Sequence, residues 1–472
     1  MLVLRKGELD DDDDEAERIF GEEVNVTVEG KRHLGAVIGS KNYKDQFCNE
    51  KISKWKEELE TLVEIAKSLP QSAYIAFTKG YKHKFTYFMR TIKSFEDYTN
   101  PIDEVINEML LPTLFGQTEP LPDELTGILT ISPAQGGLGM PALSEETPQQ
   151  YTASKLITAS HVESIITQST TMTTTSDDVK KQQQSLKAEN FRSKLENIDA
   201  NLPPDLLRQV TQARDKGASS WLNAIPVEEQ GLVLNKQEFR DSLRLRYNLP
   251  LQDLPDMCTC GATFNINHAL SCKKGGFVAQ RHDNVRDLLT TLLSKVCHNV
   301  QAEPHLIPLD GEQFNLKSTS TSQDARLDIK AGGFWQRGVT AFFDVRVSHV
   351  NSKSYQNKTT STIFKEQEKE KKRKYQQRIL DVEMGTFTPL IFGTNGGMGT
   401  ECQLFLKNLA EKLTKKTRDT YANVIAWIRT RLSFEIIKSV HMCIRGSRTP
   451  FHKSNDVSDD FNLNVNVAEI VP

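Results

Sequence analysis

The spacing of apolar positions changes character along the chain. Residues 33–39, His-Leu-Gly-Ala-Val-Ile-Gly, read as a short apolar strand that ends in a glycine turn. Residues 50–69 then repeat apolar side chains at helical spacing, with Ile52, Trp55, Leu59, Leu62 and Ile65 placed on one side. Further helices are predicted over 72–91, 102–111, 149–168 and 178–198, followed by a helical section from Pro203-Pro204 to Tyr247. In the last third a helix over 282–296 leads into strand-like pieces at 299–307, 325–331, 340–350 and 386–392. A charged helix over 364–383 separates the last two, and amphipathic helices follow near 402–413 and 420–432. Helices dominate the first half, and an α/β pattern closes the chain.

Length and composition bound this picture. The 472 residues suggest about three domains. The 38% of apolar residues is enough for packed cores. Fifty-nine Lys and Arg nearly balance 62 Asp and Glu, so the formal charge of −3 implies no partner by itself, although opposite charges can be segregated. Eight acids between Glu8 and Glu17 cannot pack and read as a disordered arm. The residues after about Arg448 read as a disordered tail. Seven cysteines are too few and too odd in number for a disulfide scaffold and suit a reducing compartment. No run approaches a membrane span, and the N-terminal residues have no apolar core of a signal peptide, so a soluble intracellular protein is expected.

One cluster has metal-ligand spacing. Cys258, Cys260, His268 and Cys272 form C-x-C-x7-H-x3-C. Four soft or borderline ligands this close suit tetrahedral Zn²⁺ in a structural site, and Gly261 lets the chain turn around an ion. The bland reading is a group of reduced thiols in an ordinary loop. Cys48, Cys297, Cys402 and Cys443 are isolated along the chain and read as plain thiols.

Two aspartates stand in apolar strand-like segments: Asp328 in Arg326-Leu-Asp-Ile, and Asp344 in Phe-Phe-Asp-Val-Arg346-Val. A lone acid in a buried strand is unfavourable unless it is paired or binds a cation. The Gly332-Gly333 turn between the segments allows the two to meet, and Glu303 in the preceding piece is a third acid. Such oxygens can hold Mg²⁺ or Mn²⁺ for phosphoryl chemistry. Strand alternation puts Asp344 and Arg346 on one face. Residues 365–374, KEQEKEKKRK, carry a local charge of +3, and Lys371, Tyr375 and Arg378 share a helix face. A basic helix beside paired acids suits a phosphodiester. The bland alternatives are a structural ion pair and a solvated helix face. The aromatic and basic stretch over 72–91, with Lys79, Lys82 and Lys84, reads either as a nucleic-acid contact with stacking or as a core helix with a wet basic face.

Together these residues resemble the C-terminal half of a non-LTR retrotransposon polyprotein that carries a restriction-enzyme-like endonuclease after its reverse transcriptase. Cys258, Cys260, His268 and Cys272 match the family's CCHC motif; Arg326-Leu-Asp328 and Asp344 match the acidic pair of its PD-(D/E)xK nuclease; Lys371, Lys372 and Tyr375 match a lysine-bearing helix. The strand at 34–39 resembles the strand that follows the polymerase palm, the aromatic-basic helices resemble the thumb, and the Gly-Gly-Leu-Gly segment at 132–141 resembles the segment that closes that region. The resemblance implies an acidic arm (1–29), a thumb-like region (30–145), a helical linker region (146–250), a zinc-binding segment (251–280), an α/β restriction-endonuclease-like domain (281–447) and a tail (448–472). It implies structural Zn²⁺, catalytic Mg²⁺ or Mn²⁺, DNA and element RNA as partners, no membrane, and a nuclear location. In it Asp328 and Asp344 hold the ion, Glu303 completes the shell, Arg346 meets the phosphate and Lys371 or Lys372 serves the attacking water; Arg326, Lys79, Lys82, Lys84, Tyr375 and Arg378 contact nucleic acid. Leu327 stands where the family has proline, and Arg346 where it has lysine. No aromatic-x-Asp-Asp strand is present, so copying of nucleic acid is not expected unless another chain supplies a palm. The alternative is a non-catalytic nucleic-acid-binding remnant.

Overall fold

The computed structural model describes residues 29–168, 176–309 and 326–448; the acidic block at 8–17 and residues 449–472 of the tail lie outside them. The first half grows from two local decisions. Leu34 and Gly35 both take positive φ (49° and 90°), so the predicted single strand is instead a hairpin, β1 (Gly30–His33) against β2 (Ala36–Gly39). A two-residue turn of this kind needs left-handed backbone at both central positions, and glycine supplies one freely. Ser40 then caps α1 (Lys41–Ser68). Its buried stripe is Ile52, Trp55, Leu59, Val63 and Ala66, and Ile65 is exposed. The predicted continuation through Leu62 and Ile65 fails because each step of three residues drifts about 60° around a helix, whereas mixed steps of three and four hold the face.

The helix predicted over 72–91 is broken into α2 (Pro70–Ala76), a π turn (Phe77–Tyr81) and α3 (His83–Thr91). The next is broken in the same way, into α4 (Asn100–Glu104), a π turn (Val105–Leu110) and α5 (Leu111–Phe115), where Pro112 withholds an N–H. After α6 (Asp123–Thr130) comes the glycine-rich segment. A Cβ on Gly137 would lie 2.0 Å from the Ile131 carbonyl oxygen, so no larger residue fits. Helices α7 (Leu143–Thr167) and α8 (Ser176–Asn201) follow. Then α9 (Pro204–Ala213) and α10 (Lys236–Arg246) return to the body. Arg246 donates to the carbonyls of Pro133 and Gly137, and the Tyr247 hydroxyl donates to that of Gly136, which closes the glycine-rich segment. Leu206, Val210, Trp221, Phe239 and Leu243 belong to the same core as Trp55, Phe85 and Phe95. Much of the stretch expected as linker therefore builds the first core.

The second core contains the Cys/His segment, with the one-turn helix α11 (Ile266–Ala269), together with α12 (Phe277–Ser294), a four-stranded sheet and the last helices. The sheet order is β3 (His298–Ala302), β4 (Ile329–Gly332), β5 (Thr340–Ser348), β6 (Thr386–Gly393), antiparallel up to β5 and parallel between β5 and β6. Helix α13 (Thr360–Asp381) makes the crossover. Alternation along β5 sorts the layers. Ala341, Phe343 and Val345 face α12, α14 (Thr400–Thr417) and α15 (Tyr421–Arg445), where Phe334, Phe343 and Phe405 stack. Phe342 packs with Tyr375 and Ile379 of α13 on the other face. The chain is thus mostly helical with a small sheet in its C-terminal half.

The two cores are tied together. Phe434 of α15 belongs to the first core while Ile436 and Val440 belong to the second. Arg208 of α9 donates to Asn351 Oδ1 and to the carbonyls of Val350, Tyr355 and Lys358, at 3.0–3.1 Å. These bonds seize the loop between β5 and α13. Replacing Arg208 with alanine should cost about 3 kcal/mol, because three carbonyls lose a charged donor. Differential scanning calorimetry should then resolve two transitions in place of one; an unchanged single transition would refute the clamp.

Candidate metal centre and paired-acid site

The Cys/His cluster is built by a tight turn and a capped helix. Cys258 N–H donates to the Ala262 carbonyl and Gly261 N–H to the Cys258 carbonyl. Gly261 has φ +86° with open space around it, as expected for a turn about an ion. Asn265 caps α11 by accepting from the His268 backbone N–H, and Cys272 N–H donates to the His268 carbonyl. Arg448 seals the cluster: its guanidinium lies over Phe264 and Phe277 and donates to the Ala269 carbonyl, and its carbonyl accepts from Thr259. Arg448 thus belongs to the fold, one residue into the segment assigned to the tail.

The four ligand atoms lie within 4.8 Å of one another. Cys258 Sγ is 3.9 Å from Cys272 Sγ, and Cys260 Sγ is 3.3 Å from His268 Nε2. Tetrahedral zinc requires about 3.8 Å between two thiolates and about 3.6 Å between thiolate and imidazole. Burial pushes the Cys258 thiol up, but the Cys260 N–H and the hydrogen bonds of His268, Cys260 and Cys272 outweigh it and bring Cys258 down to about 6. Burial holds Cys272 above the usual thiol range. The cluster can bind a metal such as zinc. The other four cysteines are free thiols, with burial raising each.

Asp328 and Asp344 come near each other at the start of β4, close enough for the charge of Asp328 to act on Asp344. Asp328 stands one residue ahead of β4, at a bend, rather than inside the strand. The register pairs Ile329 with Phe343, and one step further sets Asp328 across from Asp344. Asp344 is almost fully buried and faces α13, with Lys371 Nζ 2.6 Å from its Oδ2. Burial raises the Asp344 carboxyl to about 6; Lys371 and His282 oppose the shift and the charge of Asp328 adds to it. The other residues on this face of β5 also meet α13: Arg346 pairs with Glu370 at 2.8 Å and Ser348 donates to Gln367 at 2.8 Å. Lys372 points elsewhere. It pairs with Glu401 at 2.5 Å, while Glu368 accepts from Glu401 N–H at the start of α14. Geometry therefore separates two adjacent lysines that the sequence leaves equivalent.

Helix α12 contributes groups that the sequence reading missed. His282 Nε2 lies 3.1 Å from Asp328 Oδ2 and 3.1 Å from the Val345 carbonyl, and Nδ1 lies 3.2 Å from Asp283 Oδ1. Val345 N–H also donates to Asp328 Oδ2. Arg286 binds Asp283 at 2.9 Å and Glu303 at 2.6 Å. Glu303 N–H returns to the Asp328 carbonyl at 2.8 Å, closing a ring of contacts. The signal for this was a run of charged residues, His282-Asp283-x-x-Arg286-Asp287, inside an otherwise apolar helical pattern. Glu303 has φ +48° and is held by Arg286, with Arg326 3.7 Å away. Among the described residues, the Cys/His cluster is the one group of three or more His, Cys, Asp or Glu side chains placed to hold a metal ion, so Glu303 does not join Asp328 and Asp344 in such a group.

The residues expected to touch nucleic acid make internal contacts. Lys79 donates to Asn223, Lys82 to the Gly139 carbonyl, and Lys84 to Glu58 while lying over the Tyr81 ring. Tyr74, Phe77 and Phe85 are core residues, not stacking platforms. Tyr375 packs on Phe387, and Arg378 donates to the Ile307 carbonyl. No helix among the described residues is long and apolar enough to cross a membrane. No family model matches the chain, and no curated protein matches it.

Two expectations follow. The purified protein should carry one zinc per chain by elemental mass spectrometry, and a Cys258→Ser variant should lose most of it; equal metal content in both would remove the assignment. His282 is also measurable. Burial disfavours its charge, yet Asp328 and Asp283 prevail and raise it from 6.5 to about 9. Its contribution to stability is full below its unfolded value near 6.5 and is lost as pH rises through about 9. The gap in denaturant stability between the wild type and His282→Asn should therefore be on the order of 2 kcal/mol near pH 6 and close above pH 9. A gap that does not change with pH would contradict the imidazolium bridge.

Proposed function

We propose that this chain is the C-terminal part of a non-LTR retrotransposon polyprotein, and that its α/β half is a metal-dependent DNA endonuclease. The observation that carries the proposal is Asp328 just beyond the last β4–β5 pair, where its charge acts on Asp344, with Lys371 Nζ 2.6 Å from the buried carboxylate. A mixed sheet with a crossover helix is compatible with a restriction-enzyme-like domain. The Cys/His segment packed against it is compatible with the family's CCHC motif. By the same resemblance the partners are target DNA and element RNA, the location is nuclear, and any palm comes from another chain.

The two carboxylates fit a hard divalent ion, and Mg²⁺ or Mn²⁺ bound there would supply Lewis acidity and an activated water. Asp344 must be ionised to take part, which its low-dielectric surroundings delay to about pH 6. Lys371 holds that carboxylate and is placed to donate to a water or phosphate oxygen beside it. Arg346, tied to exposed Glu370, can exchange that partner for a phosphate on the same face. Glu303 and Arg286 act through Asp328 and its backbone rather than as further ligands.

One observation favours the second reading, a nucleic-acid-binding remnant without turnover. Both aspartates are already neutralised, Asp344 by Lys371 and Asp328 by His282. A metal must displace or tolerate those cations.

Supercoiled plasmid with Mg²⁺ or Mn²⁺ separates the readings. The full chain should nick it, Asp328→Ala and Asp344→Ala should not, and Lys371→Ala should lower the rate roughly a hundredfold or more. Lys372→Ala should retain most of it. Activity should rise with pH through about 6 as Asp344 ionises. DNA binding without nicking in every protein would establish the remnant instead.

A further inference from the structure

The two halves and the zinc-ligand turn enclose a cavity of about 230 Å³. Helices α9 and α10 form one wall, α11 another, the loops after β5 and β6 a third, and α15 the last. The groups that can carry charge there have partners or are neutral. The His441 imidazole, 3.4 Å from Asp241 Oδ2, is pushed down by burial. Asp241 is held by Arg445 through two bonds of 2.8 and 3.0 Å, and Arg246 is spent on backbone carbonyls and Ser219. His349 Nε2 lies 2.7 Å from Asn267 Oδ1. Burial, with Arg281 nearby, pushes that imidazole down to about 4, so it is neutral. The surface that remains combines carboxamides such as Gln209 and Asn248 with Trp221, His441, two hydroxyls and aliphatic side chains such as Ile266 and Val440. The side chains of half-buried Gln209 and exposed Asn248 have no hydrogen-bond partner among the described residues.

Such a lining presents no unpaired guanidinium, ammonium or carboxylate to a phosphate or a cation. It suits a flat, uncharged ligand with donors and acceptors on its edge and apolar faces. Carboxamides pair well with base edges, and extruded bases are gripped between apolar walls. We propose that this cavity binds a nucleobase, either of a free nucleoside or of an unpaired position in a strand, with Gln209 and Asn248 reading its edge. Helix α11 also carries His268 and places Asn267 against His349, so the Cys/His segment forms part of one wall. The proposal does not depend on the nuclease reading.

The test uses the full-length, zinc-loaded protein and calorimetric titration with adenosine, guanosine, cytidine and thymidine, then with their 5′-monophosphates. At least one nucleoside should bind saturably, its monophosphate should bind no more tightly, and affinity should change little with salt. Gln209→Ala should weaken binding about threefold to tenfold, the loss of one hydrogen bond. Val440→Phe should fill the cavity and abolish binding. A single-stranded oligonucleotide carrying 2-aminopurine separates the sources. Competition with the nucleoside places a strand base in the cavity; nucleoside binding without competition assigns it to the free compound. No saturable binding of any nucleoside, tighter salt-sensitive binding of the phosphates, or affinity unchanged in both variants would overturn the proposal. Plasmid nicking is not the readout, so failure of the endonuclease reading leaves this result standing.

Discussion

The burial of Asp344 under α13 is the constraint around which the C-terminal half is arranged. A carboxylate in that position is unfavourable unless a cation reaches it, and Lys371 does so from the helix above. The pair fixes the rotation of α13 over the sheet. Once it is fixed, Arg346 meets Glu370, Ser348 meets Gln367, and Tyr375 and Ile379 descend onto Phe342 and Phe387. The opposite face of β5 is then free to be wholly apolar, and it forms the stacked core of Phe334, Phe343 and Phe405. One polar pair thus marks the face of β5 that meets α13, and the stacked aromatic core takes the other.

Helix α12 plays the complementary part. Its apolar side, with Val285, Leu289 and Leu292, lies in the second core, while His282, Asp283 and Arg286 reach to Asp328 and Glu303. The cationic links in this ring are both donors to more than one acid, so movement of one acid is felt by the other. Arg281, one residue earlier, binds the carbonyls of Leu270 and Val347 and so joins the Cys/His segment to the end of β5. The metal cluster, the acid pair and the inter-half cavity are therefore neighbours in one continuous polar framework rather than separate modules strung on a chain.

Much of the element pattern was legible. The α1 helix, the four strand-like pieces, the charged crossover helix and the Cys/His cluster all occur near where the periodicity and spacing put them, because each depends on local side-chain alternation or ligand spacing. The breaks in the second and third helices were not legible, since π turns depend on how neighbouring helices pack. The hairpin at 30–39 was missed because Leu34 in left-handed backbone contradicts its propensity, and only the pairing of the flanking strands makes it affordable. Lys79, Lys82 and Lys84 read as a basic face, but their partners Asn223, Gly139 and Glu58 lie far away along the chain.

By itself the sequence determined the residue types and their spacing: a four-ligand set within fifteen positions, two acids flanking a glycine turn, and a lysine-rich helix to follow. Tertiary structure alone decided which of those groups meet. It gave Asp344 to Lys371 and Lys372 to Glu401, drew Glu303 towards Arg286, and brought in His282 from a helix that no motif singled out. The physical reason is that a charge is satisfied by whatever opposite charge lies within a few ångströms in space. Separation along the chain carries no such information once β5, α12 and α13 have packed.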